Sequence, residues 1–153
     1  MAIALSDLID PRRISLKLRA TTRDEALAEV VELLVAAGKM DNRKKFLAEL
    51  HARERTNSTY AADGVAFPHA RTNLVSEIIV GIGRCEAGIL WTGRGEIAHL
   101  IFLFAVPERL LSDYLVVVGA IARITKDRPL RTLLLHAESV DDFVATLLGA
   151  PSI

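Results

Sequence analysis

The chain has 153 residues, 19 Lys plus Arg against 19 Asp plus Glu, and 51% apolar residues. That length and composition predict one globular domain over 1–153, which buries about 70% of its unfolded surface without staples. Zero net charge excludes the basic excess of a nucleic-acid binder and gives no electrostatic hold on a membrane, while the single Cys85 excludes an internal disulfide and fits a reducing compartment.

Ala2 to Pro11 reads as a short lead-in. Asp7 and Asp10 stand where a secretory signal would be basic and then apolar, and no run reaches the roughly 18 apolar residues of a membrane span. The expected location is the cytoplasm, without membrane insertion. Ile14, Leu16 and Leu18 alternate with Ser15, Lys17 and Arg19, the period of a half-buried strand. Thr21 or Thr22 caps a helix whose first turn holds Asp24 and Glu25 and which ends at Gly38. A second helix starts at Asp41 or Asn42, buries Phe46, Leu47 and Leu50, and fades near Arg55 into a loop from Thr56 to Gly64.

Val65 to Phe67 is extended, because the residue before Pro68 is pushed away from helix. Ile78–Ile82 reads as a buried strand, followed by a turn-rich connection through Gly83, Gly88, Gly93 and Gly95. Leu100–Val106 is a near-continuous apolar strand stopped by Pro107, which implies helices on both faces of the sheet. Helices follow over Leu110–Ile124, after Pro129, and over Val140–Leu148 with Ser139 as cap. The predicted class is α/β, a mixed sheet of about five strands flanked by helices on both faces.

Four histidines share no metal-ligand spacing, so no metal site and no cofactor is expected. His51 is placed on the solvent side of its helix, His99 at a strand opening and His136 at a helix end. Cys85 reads as a small core residue. His69 differs: it follows Pro68 in a loop of restricted freedom and precedes Arg71. A neutral imidazole whose second nitrogen is tied to a carbonyl or carboxylate offers a free lone pair as nucleophile. Arg53 and Arg71 flank it in sequence, and an arginine fork suits phosphoryl oxygens. Ser58 and Thr59 add hydroxyls for phosphate contact.

These residues carry a resemblance. Arg53-Glu54, Ser58-Thr59 and Gly64-Val65-Ala66-Phe67-Pro68-His69-Ala70-Arg71 resemble the enzyme IIA domain of the fructose/mannitol type and its nitrogen-regulatory relatives. That domain belongs to the phosphoenolpyruvate-dependent sugar phosphotransferase system. The opening Leu5-Ser6-Asp7-Leu8-Ile9-Asp10-Pro11 is similar too, and the likeness covers nearly the whole chain. It implies a phosphocarrier that takes a phosphoryl group from an HPr-type protein on His69 and passes it to an enzyme IIB partner. A second implied role is a regulatory module whose protein partners are set by His69 phosphorylation; a third reading is a binding domain that is never phosphorylated. Many members carry a second histidine where this chain has Tyr114, so the resemblance places Tyr114 near the site.

Overall fold

The computed structural model describes residues 3–149; Ala2, where the predicted lead-in begins, lies outside them, as do the outermost ends of the predicted 1–153 domain. In chain order the elements are α1 (Leu5–Leu8), β1 (Ile14–Ser15), α2 (Arg23–Ala36), α3 (Arg43–Thr56), β2 (Tyr60–Ala62), β3 (Val65–Ala66), β4 (His69–Arg71), β5 (Ile79–Leu90), β6 (Ile97–Val106), α4 (Leu111–Lys126), α5 (Arg128–His136) and α6 (Val140–Gly149). Single 3-10 turns sit at Pro11–Arg13 and Glu108–Leu110.

The helix ends follow from local chemistry. The Thr22 hydroxyl accepts from the Glu25 N–H at 3.2 Å, and the Glu25 carboxylate reaches back to the Thr21 N–H at 2.9 Å. Gly38 ends α2 at φ +74, where a side chain would strain the backbone; the N–H groups of Gly38 and Lys39 close on the carbonyls of Val35 and Leu34. Asn42 caps α3 through the Lys45 N–H, and Ser139 caps α6 through the Asp142 N–H.

The sheet is mixed, with order β1-β5-β6-β3-β2 and β4 also paired to β6. β3 lies parallel to β6 at Leu100 and Ile101, and β4 lies parallel to the same strand at Phe104–Val106. The two are one strand line interrupted at Pro68, which has no N–H to continue the ladder. Its carbonyl still accepts from the Phe104 N–H at 3.0 Å. Six strands thus fill five positions across the sheet.

Helices cover both faces, and β6 divides its side chains between them. Leu100, Phe102, Phe104 and Val106 pack with Tyr114, Val117 and Ile121 of α4, Leu134 of α5 and Phe143 of α6. Ile101, Leu103 and Ala105 pack on the other face with Leu27, Val30 and Leu34 of α2 and Phe46 and Leu50 of α3. Each fully buried Leu, Ile, Val or Phe among them contributes about 1.5–3 kcal/mol over its exposed state. Burial on both faces is why this run reads as continuously apolar rather than alternating.

The structure corrects five local expectations. β5 runs on to Leu90, through the predicted turn at Gly83 and Gly88. A Cβ on Gly83 would come within 2.6 Å of Leu18 Cδ1, and one on Gly81 within 2.9 Å of Val30 Cγ1. These glycines admit close packing against the sheet instead of turning the chain. β2 occupies part of the predicted Thr56–Gly64 loop; three residues with one partner strand carry no readable period. β1 is only two residues long, although the Leu18 N–H still donates to the Arg84 carbonyl at 3.0 Å. His69 opens β4 rather than lying in a loop, and His99 is the third residue of β6 rather than its opener.

Candidate functional site

His69 stands where the broken strand line resumes, half-buried and paired in register with Phe104. Its Nδ1 lies 2.9 Å from the Phe67 carbonyl oxygen. A carbonyl only accepts, so Nδ1 carries the proton and Nε2 keeps its lone pair. The Phe67 carbonyl is itself held in place: its N–H donates to the Thr59 carbonyl at 3.0 Å, and its ring stacks on Phe102 with centroids 5.7 Å apart. Burial is the largest influence on the His69 ring and pushes its pKa below the usual histidine value. The hydrogen bond that the ring donates to the Phe67 carbonyl opposes this, Arg53 lowers it further, Glu54 raises it, and Arg71 lowers it least. The ring is neutral at pH 7.

Tyr114, in the first turn of α4, lies with its ring centroid 5.0 Å from that of His69, tilted by 37°. It stands edge-on to Phe104 at 5.1 Å and is 4% exposed. Burial pushes its phenol pKa up, with Arg53 the opposing influence, so the hydroxyl stays a neutral donor. Arg53, in the last turn of α3, donates from Nη1 to the carbonyl of Asn57 at 2.8 Å and to its Oδ1 at 2.9 Å. Because its charge acts on both His69 and Tyr114, its guanidinium stands within electrostatic reach of both rings.

The other predicted contacts separate. Ser58 is exposed, and its Oγ accepts from the Tyr60 N–H at 3.0 Å, which leaves the O–H free to donate. Thr59 is buried and spends its only O–H on Glu54 Oε1 at 2.6 Å, so that hydroxyl has no proton left for a phosphate. Arg71 points to solvent, 3.8 Å from the Glu108 carboxylate, beside a groove of about 680 Å³ that Lys45, Thr72, Pro107 and Arg109 also line. His51 is about one-third exposed and 3.6 Å from the Asp24 carboxylate. The Nδ1 atoms of His99 and His136 lie against the carbonyls of Cys85 and Thr132. Among the described residues no three His, Cys, Asp or Glu side chains gather as a metal site would need, and no helix is long and apolar enough to cross a membrane.

Residue types alone left one network unread. Glu54, 6% exposed, accepts from the Thr59 N–H at 2.9 Å and from its hydroxyl, and that hydroxyl accepts from Trp91 Nε1 at 3.3 Å. The only local signal was an acidic residue set at the end of a helix, next to Arg53. The network pins the chain between α3 and β2, and through the Thr59 carbonyl it also fixes the Phe67 peptide. The assembled site is a neutral imidazole with an open Nε2, a guanidinium and a phenol, suited to attack on an anionic, electrophilic group.

Residues 7–149 match the family described as phosphoenolpyruvate-dependent sugar phosphotransferase system, EIIA 2. The chain is 32% identical over 139 residues to the PTS system fructose-specific EIIA component of Haloferax volcanii, covering 88% of this chain and 90% of that protein. It is 28% identical to the PTS system fructose-specific EIIABC component of Bacillus subtilis over 92% of its own length but spans only 22% of that protein. Among solved structures, nitrogen regulatory protein IIA-Ntr from Neisseria meningitidis superposes with a TM-score of 0.85 at 24% identity, covering 94% of this chain and 98% of that one.

Proposed function

The chain belongs to the EIIA 2 family of the phosphoenolpyruvate-dependent sugar phosphotransferase system, and on that premise we propose that it is a phosphocarrier in which His69 accepts a phosphoryl group from an HPr-type protein and passes it to an enzyme IIB partner. The observation that carries this reading is the 2.9 Å contact between His69 Nδ1 and the Phe67 carbonyl, which leaves Nε2 as the nucleophile. In the transfer the Nε2 lone pair attacks phosphorus, a new N–P bond forms, and the donor's N–P bond breaks with its electron pair returning to the donor ring. The His69 ring gains positive charge, and the Phe67 carbonyl stabilises it through the retained Nδ1–H. Arg53 faces the charge on the equatorial oxygens, with Tyr114 and Ser58 as hydroxyl donors and Arg71 as a weaker, solvent-screened cation. The onward partner is supported by the Bacillus subtilis relative, whose name joins A, B and C components in one chain.

A second reading, regulation of protein partners by His69 phosphorylation, is favoured by one feature. Leu115 and Val116 are 58% and 64% exposed, directly after Tyr114. Phosphate at His69 would place about two negative charges beside this apolar surface, enough to make or break an interface.

Incubation with phosphoenolpyruvate, enzyme I and HPr, followed by intact mass measurement, tests the carrier reading. One acid-labile, base-stable phosphoryl group is expected, and His69→Ala should carry none while melting as a folded domain. Labelling that survives in His69→Ala would assign the acceptor elsewhere.

A further inference from the structure

We propose that Asn57 is a positioning residue for Arg53: it holds Nη1 with two acceptors and so turns the opposite, Nε–Nη2 edge of the guanidinium toward the phosphoryl group. The inference rests on the phosphocarrier reading of His69. Arginine is a long, flexible side chain, and a guanidinium at a helix end samples many rotamers unless something fixes it. Here Nη1 donates to two acceptors of the same residue, the Asn57 carbonyl at 2.8 Å and Oδ1 at 2.9 Å. Nη1 is thereby committed to Asn57. The Nε and Nη2 bonds that remain on the far edge run parallel, the geometry that binds two oxygens of one phosphoryl group.

The backbone explains why this residue reaches back. Asn57 follows directly on α3 and is extended, at φ −165 and ψ 157. Two residues on, Thr59 is anchored by the buried Glu54 carboxylate. The loop is thereby closed around the Arg53 side chain. A neutral amide suits the task better than a carboxylate, because it orients the guanidinium without neutralising the charge that the phosphoryl group needs. Asn57 itself is exposed, so its side chain adds little to the core.

The test compares the parent chain with Arg53→Ala, Asn57→Ala and the double variant. It uses two readouts: the rate of phosphoryl transfer from phosphorylated HPr, and the NMR titration of the His69 ring. Arg53, Glu54, Arg71 and Tyr114 are the charged or titratable groups around that ring, and Arg53 depresses its midpoint. Asn57→Ala should slow transfer about tenfold and raise the His69 midpoint part of the way toward its value in Arg53→Ala. The double variant should match Arg53→Ala in both readouts, because Asn57 acts only through Arg53. A His69 midpoint unmoved in Asn57→Ala, or a double variant slower than Arg53→Ala by the full Asn57→Ala factor, would overturn the assignment. If the parent takes up no phosphate, the phosphocarrier reading fails, and the titration alone decides whether Asn57 orients Arg53.

Discussion

A histidine becomes a nucleophile when one ring nitrogen is held as donor and the other keeps its lone pair. At His69 the Phe67 carbonyl does the holding, and burial keeps the ring neutral. Its pKa lies below the ordinary value of 6.5, so the fall in transfer rate as the ring protonates should be centred below pH 6.5. Arg53 acts on the developing phosphoryl charge. Arg53→Ala should slow transfer about a hundredfold, in line with the loss of one preorganised electrostatic donor, while its melting temperature changes little; a transfer rate equal to the parent's would return Arg53 to an ordinary helix-end charge. The Tyr114 ring lies with its centroid 5.0 Å from that of His69 but stays neutral. Tyr114→His should raise the rate of exchange with HPr, by offering a chargeable ring to the phosphate, and Tyr114→Phe should lower it modestly. Single-turnover kinetics on the two variants separate this from a purely packing role, in which both would behave alike.

At the scale of the elements, glycine placement decides how closely the helices approach the sheet. Gly83→Ala would press a methyl group to 2.6 Å from Leu18 Cδ1 and 3.0 Å from Val30 Cγ2. The cost should be about 1–3 kcal/mol, seen as a lower urea midpoint with an unchanged slope. These same glycines show where reading from sequence stops. The period of α2, its Thr22 cap and its Gly38 terminus were legible because each depends on residues within one turn of chain. The apolar run of β6 was legible because it is buried on both faces. Gly83 was read as a turn because its reason, contact with Leu18 and Val30, comes from distant parts of the chain. The site divides in the same way. Pro68 and His69 announced a restrained imidazole, and the likeness to a known family placed Tyr114 beside it. The Glu54–Thr59–Trp91 network was hidden because Trp91 reaches Thr59 across 32 positions.

The molecule as a whole should lose stability with acid in two windows. Unfolded His69 binds a proton near pH 6.5, while the folded ring, with its lowered pKa, resists it. Between those values the unfolded state holds more protons, so stability falls as pH falls. Asp10 has the same sign: hydrogen bonds from Arg12 lower its pKa from 3.8 to about 2, so its stabilisation is present above 3.8 and is lost as pH falls toward 2. Melting temperatures across this range should decline in both windows, and Asp10→Asn should remove the lower one; an unchanged profile in that variant would mean the Arg12 pairing is not what stabilises the folded state there. The phosphocarrier account itself turns on one atom, Nε2 of His69. Heteronuclear NMR of the phosphorylated chain, with its histidine nitrogens labelled, reads the N–P coupling directly. The account predicts coupling to Nε2 of His69, with Nδ1 still protonated against the Phe67 carbonyl; coupling to Nδ1, or to any other histidine, would contradict it.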